Sequence, residues 1–174
     1  MTDLWAIDEV HFQQYGSRCH MWIPPEEKDP VVLHAPTRKS VGYFGAVRLR
    51  DGKFIYRRES DKFNGETFWS FMKRLRSSSC RAGRRVVLIS DNARYHHARL
   101  HKDWRAEVES DFRLHFLPPY SPELNPSERV WKLTRRLCIH NQYFPDLELV
   151  IEQVETQFDK WTHPNRMLRK LCKI

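Results

Sequence analysis

Four consecutive apolar residues, Val86-Val-Leu-Ile89, run straight into Ser90-Asp91-Asn92. A strand with one wet face alternates apolar and polar side chains. An unbroken apolar run instead suits a strand covered on both faces, as in a parallel sheet between helices. The surrounding sequence agrees with that layering. Thr67, Phe68, Phe71, Met72 and Leu75 recur at helical spacing ahead of the run and predict a helix of about three turns with one apolar stripe. A helix rich in histidine and arginine is expected after Asn92, then a short strand around Arg113–Phe116, giving the second half a β-α-β-α-β order.

The first half reads as strands. Leu4–Val10 is short, apolar and partly β-branched, with acids intruding only near its end, as in a buried central strand. Arg18–Ile23 predicts a second strand. A proline- and charge-rich irregular stretch, Pro24 to Arg38, precedes a third over Val41–Leu49, and Asp51-Gly52 forms a hairpin turn that returns Phe54–Arg57 antiparallel. Further on, the prolines of Leu117–Pro122 remove backbone donors and fix extended angles, so this segment is a loop. Asn125-Pro-Ser-Glu128 then has the layout of a helix start, with an Asn cap, proline first and Glu three residues after the cap. Val130, Leu133 and Leu137 are its expected buried stripe. A last helix over Asp146–Trp161 turns Leu149, Val150, Val154 and Phe158 inward, and the basic tail after Pro164 covers one edge.

Three acids stand where chemistry is expected. Asp8 lies late in the first strand and Asp91 at the end of the apolar one; if these strands are neighbours, both carboxylates emerge at one rim, where open α/β sheets bind ligands. Glu128, on the first turn of a packed helix, completes the cluster. Three carboxylates at one rim repel one another unless cations sit among them, and hard oxygen ligands select magnesium or manganese. Each acid also has a structural reading: Asp91 and Asn92 as caps of a following helix, Glu128 as half of a capping box. Asp8 is harder to explain that way, because an ionised group in a buried strand needs a partner or a cation. Glu9 faces the opposite side of a regular pleat, so only one of the pair joins Asp91, and Asp8 is the choice.

Composition narrows the partner. Lys and Arg outnumber Asp and Glu by 30 to 22 over 174 residues, a formal +8 that attracts a polyanion, and nucleic acid is the first candidate. The four cysteines form no Cys-x-x-Cys pair, so neither a zinc site nor a disulfide framework is indicated. No apolar run approaches the roughly 20 residues that span a bilayer, and the start has no basic region followed by an apolar stretch. One domain over 1–174 is expected, without a membrane partner; its location is cytoplasmic and nucleoid-associated in a bacterium, or nuclear in a eukaryote.

Ile7-Asp8-Glu9, Ser90-Asp-Asn-Ala-Arg-Tyr-His-His97 and Leu117-Pro-Pro-Tyr-Ser-Pro-Glu-Leu-Asn-Pro-Ser-Glu-Arg-Val-Trp131 together resemble the catalytic domain of mariner-like and bacterial insertion-sequence transposases. The third block is the most specific, and the resemblance extends through Gly42–Val47 and Thr67-Phe-Trp69. It implies an α/β, ribonuclease H-like fold with a mixed five-stranded sheet flanked by helices. It also implies a catalytic and metal-binding triad at Asp8, Asp91 and Glu128, with two Mg2+ or Mn2+ ions serving DNA cleavage at element ends and transfer of the freed 3′ hydroxyl into target DNA. Glu9, Asn92, His96 and Asn125 are candidates to support the triad; Arg81, Arg84, Arg85, Lys132, Arg135 and Arg136 are candidates to grip the DNA backbone. Trp131 reads as core behind the Glu128 turn. Transposases of this kind usually carry helix-turn-helix modules ahead of the catalytic domain, whereas here the first strand begins at Leu4. A separately encoded half, a remnant or an excised piece is therefore expected, acting as a homodimer with a DNA-reading domain or chain elsewhere. Two other readings stay open: a structure-selective ribonuclease H-like nuclease, and an inactive DNA-binding remnant. Tyr120 and Ser121 have no activating basic cluster in their motif, which argues against a tyrosine or serine recombinase.

Overall fold

In the computed structural model, which describes residues 1–26, 31–60, 62–80 and 83–174, five strands form one sheet in the order β3-β2-β1-β4-β5. β1 (Thr2–Gln13), β2 (Ser40–Arg48) and β3 (Phe54–Glu59) make an antiparallel meander. β4 (Arg85–Ser90) and β5 (Phe112–Phe116) add to the other side of β1 in parallel. This is the mixed sheet flanked by helices that the resemblance implies.

Each face of the sheet has its own core. On one, Trp5, Ile7, Phe44, Ala46, Val86 and Leu88 meet Phe68, Phe71, Met72 and Leu75 of α1 (Gly65–Ser79). On the other, Ala6, Val10, Phe12, Tyr43 and Phe54 meet α3 (Pro126–Cys138), α4 (Leu147–Asp159) and α5 (Arg166–Leu171). The strand covered most completely on both faces is β2, buried without a break from Val41 to Val47; Val87 and Ile89 of β4 are only half-buried on the second face. Asn64, Asn125, Asp146 and Asn165 each accept hydrogen bonds from the first-turn N–H groups of these four helices, satisfying donors that otherwise lack partners.

The structure departs from expectation in four places. Arg18–Ile23 forms no strand: the segment is pinned outside the sheet by Asn141, which accepts from Cys19 N and donates to Cys19 O. The histidine-rich segment is two 3-10 turns, Arg94–His97 and Arg99–His101, followed by the short α2 (Lys102–Glu107). His96 and His101 both pack against the Phe68 ring, at 4.1 and 5.7 Å, and a continuous helix would turn residues five apart roughly 140° away from each other. Leu137 and Leu149 are exposed at 44% and 38%, because Trp131, Thr134, Val150 and Val154 fill the inward faces. The basic tail folds as α5 and buries Leu168 and Cys172; it also seals the Asp51-Gly52 turn, where a Cβ on Gly52 (φ +74°) would lie 2.2 Å from Asn165 O. Arg81 and part of the Pro24–Arg38 stretch lie outside the described residues.

Candidate functional site

The site forms where the sheet splits. Pairing of β1 with β4 stops at Ala6 and Ile89, while β1 continues along β2 to Gln13. Asp8 and Asp91 each lie two residues beyond that last pair, so two parallel neighbours deliver their acids to the same rim. Released from the ladder, the Ile7 carbonyl must find another donor. It accepts from Asn125 Nδ2 at 3.3 Å, while Asn125 Oδ1 takes the Ser127 N–H at 3.2 Å. One side chain thereby fastens the start of α3, and with it Glu128, to the strand bearing Asp8.

Asp8 points to the α3 face and is 7% exposed. Its Oδ2 accepts the indole N–H of Trp131 at 3.0 Å. Burial, then the charge of Glu9, raises the acid; the Trp131 bond pulls the other way and the Glu128 charge adds to the rise, leaving Asp8 at about 8. Glu128 is thus close enough to be felt by Asp8, although the hydrogen bond at the α3 cap is made by Asn125 with Ser127 N. The raised value fixes a sign. Native Asp8 keeps a proton that the unfolded chain releases near pH 4, so this group's contribution is fully present below about 4 and is lost as pH rises toward 8. In EDTA, Asp8→Asn is expected to gain stability relative to wild type progressively from pH 5 to pH 8. Urea denaturation at the two pH values checks this, and a constant difference between the proteins would refute it.

Glu9 points to the opposite face, as a regular pleat requires, and there it meets Asp91. The buried His96 ring lies between them, Nδ1 2.8 Å from Asp91 Oδ1 and Nε2 3.6 Å from Glu9 Oε2, with Ser90 Oγ 3.1 Å from Nδ1. Tyr95 donates its hydroxyl to Glu9 Oε1. Burial alone would lower His96, but its bond to Asp91, the closeness of Glu9 and the charges of both overcome it and raise the ring to about 9; the His96 bond in turn holds Asp91 below the usual carboxylate range. Glu9, Asp91 and His96 offer ligand atoms all within 4.8 Å of one another, a candidate metal-binding triad at the edge of the core. Glu9 Oε2 and His96 Nε2 are buried without a hydrogen-bond partner, and carboxylate oxygens dominate the rim, so the donors suit a hard divalent cation. Asp91 therefore meets Glu9 and His96 on the α1 face of β1, while Asp8, within reach of the Glu128 charge, stands on the α3 face. Sequence alternation assigned Asp8 and Glu9 to opposite faces, but had no signal for the imidazole that draws Asp91 toward Glu9.

The other candidates divide by their contacts. Asn92 donates to Leu117 O and lies 3.2 Å from His97 Nε2, and exposed His97 stacks on Phe116 at 4.0 Å, so these two brace the loop after β5. That loop and Asp91–Ala93 line a cavity of about 420 Å³ on whose rim Tyr120 stands fully exposed, with φ +57°. Arg84 pairs with buried Asp3 at 3.2 Å, Arg85 donates to Glu109 O, and Arg135 lies 5.8 Å over the Phe12 ring. Lys132 and Arg136 differ: both are exposed and line a groove on the outer side of α3 with Arg129 and His140.

This architecture has known counterparts. The family profile described as DDE superfamily endonuclease matches residues 3–151. The chain belongs to that family. An uncharacterized protein of Sinorhizobium fredii, y4pE/y4sA, is 38% identical over 69 residues, covering 40% of this DDE-family chain and 47% of the relative. Among solved structures, the Mos1 strand transfer complex superposes with a TM-score of 0.68 at 17% identity, covering 97% of this chain and 50% of that one. The Mos1 mariner paired end complex with Mn gives 0.66 at 16%, covering 97% and 51%. The DDE-family chain spans about half the length of these relatives. Its fold is that of a mariner transposase catalytic domain.

Proposed function

We propose that the chain acts on DNA as a transposase catalytic domain, nicking at element ends and joining the freed 3′ hydroxyl to target DNA, with Asp8, Asp91 and Glu128 as the acids at the reacting phosphate. The observation that carries this reading is the matched register: Asp8 and Asp91 each stand two residues past the last pair of the parallel β1–β4 ladder, and Glu128 is tied to the same rim through Asn125. These carboxylates would hold divalent cations, two by analogy with phosphoryl-transfer sites, which would supply Lewis-acid chemistry at the reacting phosphate.

The chain's own residues perform the positioning. Trp131 holds Asp8, and His96 holds Asp91. The Lys132 and Arg136 groove offers positive charge to the DNA backbone, and the cavity beside Asp91 leaves room next to the acids for nucleotides flanking the reacting phosphate. Work at element ends calls for two copies of the chain and a DNA-reading module, and places the protein with DNA, in the cytoplasm of a bacterium or the nucleus of a eukaryote.

Incubation with Mg2+ or Mn2+ and labelled DNA, supercoiled and pre-cleaved at an element end, tests the reading. Metal-dependent nicking followed by strand transfer is the expected result. Nicking without joining would instead identify a nuclease, and neither activity would identify an inactive DNA-binding protein.

A further inference from the structure

Trp131 is buried to 1% exposure, one helical turn after Glu128 on α3, and its indole N–H is donated to Asp8 Oδ2 at 3.0 Å. Core packing alone does not require that bond, and its geometry is over-determined. Asp8 is paired across the β1–β2 ladder with Gly45, and a Cβ on Gly45 would lie 2.3 Å from Trp131 Cη2. Only a residue without a side chain lets the indole lie over β2 and reach the acid on the next strand. Phe54 meets the ring edge-on at 5.8 Å and 77°, and Phe158 packs at 6.2 Å. The indole is thus wedged, and its donor points at one carboxylate oxygen.

We propose that Trp131 is a positioning residue for Asp8: by occupying Oδ2 it fixes the carboxylate's rotation and leaves Oδ1 to serve a divalent cation. The spacing of three residues between Glu128 and Trp131 puts the ligand and the residue that orients its neighbour on one side of one helix. α3 therefore sets two acids at once, Glu128 by carrying it and Asp8 by bonding to it. Gly45 is the second half of the device, since its missing side chain is the space the indole uses. The inference rests on the reading of Asp8 as a metal ligand.

Trp131→Phe keeps an aromatic ring and removes the donor. Mn2+ affinity, followed by electron paramagnetic resonance or calorimetry, is expected to weaken about 10- to 100-fold, the usual effect of losing a partner that orients a ligand. Val154→Ala, a core substitution on α4 remote from the acids, is expected to lower stability and leave the affinity unchanged. Should Trp131→Phe fail to fold, a benzothiophene analogue of tryptophan at position 131 supplies the same shape without the N–H, and the same loss is expected. In metal-free protein the Trp131 Nε1–H resonance is expected to exchange slowly with solvent and to shift in Asp8→Asn. Wild-type Mn2+ affinity in the variant without the donor, alongside abolished affinity in Asp8→Asn, overturns this inference alone. Unchanged affinity in Asp8→Asn itself overturns both this inference and the reading beneath it.

Discussion

Asp91→Asn is expected to lower metal-dependent nicking by about a thousandfold while DNA affinity stays within about twofold. The magnitude follows from charge: a metal ion contributes several kcal/mol of transition-state stabilisation, and each 1.36 kcal/mol is about a decade of rate. The substitution is nearly isosteric. An amide oxygen can still accept the Ala93 N–H that Asp91 Oδ1 now takes at 3.2 Å, so the turn after β4 should survive. The negative charge disappears, and with it one of the contributions that raise His96. A neutral group there weakens cation binding, because Asp91 is one of the two carboxylates in the Glu9–Asp91–His96 cluster and, in the proposed reading, one of the acids at the reacting phosphate. DNA affinity is expected to be spared because the groove of Lys132 and Arg136, the DNA contact in the proposed reading, does not include Asp91. Single-turnover nicking with saturating Mg2+ and a filter-binding titration separate the two effects. Nicking within tenfold of wild type would remove Asp91 from the mechanism.

Phe158→Ala is expected to be the most destabilising simple truncation in the α3–α4 core, costing about 3–5 kcal/mol. Phe158 is fully buried, and its ring lies within 6.2 Å, centroid to centroid, of Phe12, Tyr43, Phe54, Tyr56, Trp131 and Trp161. Those rings come from three strands, from α3 and from the turn after α4, so they cannot collapse together around a smaller side chain without moving the helix from the sheet. Domains of this size are stable by about 5–15 kcal/mol, so the loss consumes much of the total. Because Trp131 borders the cavity that would form, its bond to Asp8 should loosen as well. Guanidinium denaturation gives the cost. A loss below about 1 kcal/mol would mean that α4 repacks freely and does not anchor the α3 face.

Much of the architecture could be read from the chain. The unbroken apolar run Val86–Ile89, the Asn125-Pro126 helix start and the Phe68–Leu75 stripe each encode a local rule, and each produced the expected element. Arg18–Ile23 and the Arg94–His101 segment followed no such rule. The first is held outside the sheet by Asn141, a residue far along the chain that bonds both Cys19 N and Cys19 O, and the second was denied a helix by two histidines that both pack on Phe68. The basic candidates were alike as sequence; the fold gave Arg84 to Asp3 and Arg135 to Phe12, and left Lys132 and Arg136 in an open groove.

The sequence by itself determined which residue types meet the rim and on which face of β1 each acid stands, because strand alternation and helix caps are local properties of the backbone. Only the tertiary structure decided what each acid touches. The end of β1–β4 pairing at Ala6 and Ile89, the space over Gly45 that admits Trp131, and the His96 ring between Glu9 and Asp91 all depend on segments far apart in the chain. Side-chain partners across a sheet follow from packing and desolvation, which no short stretch of sequence contains.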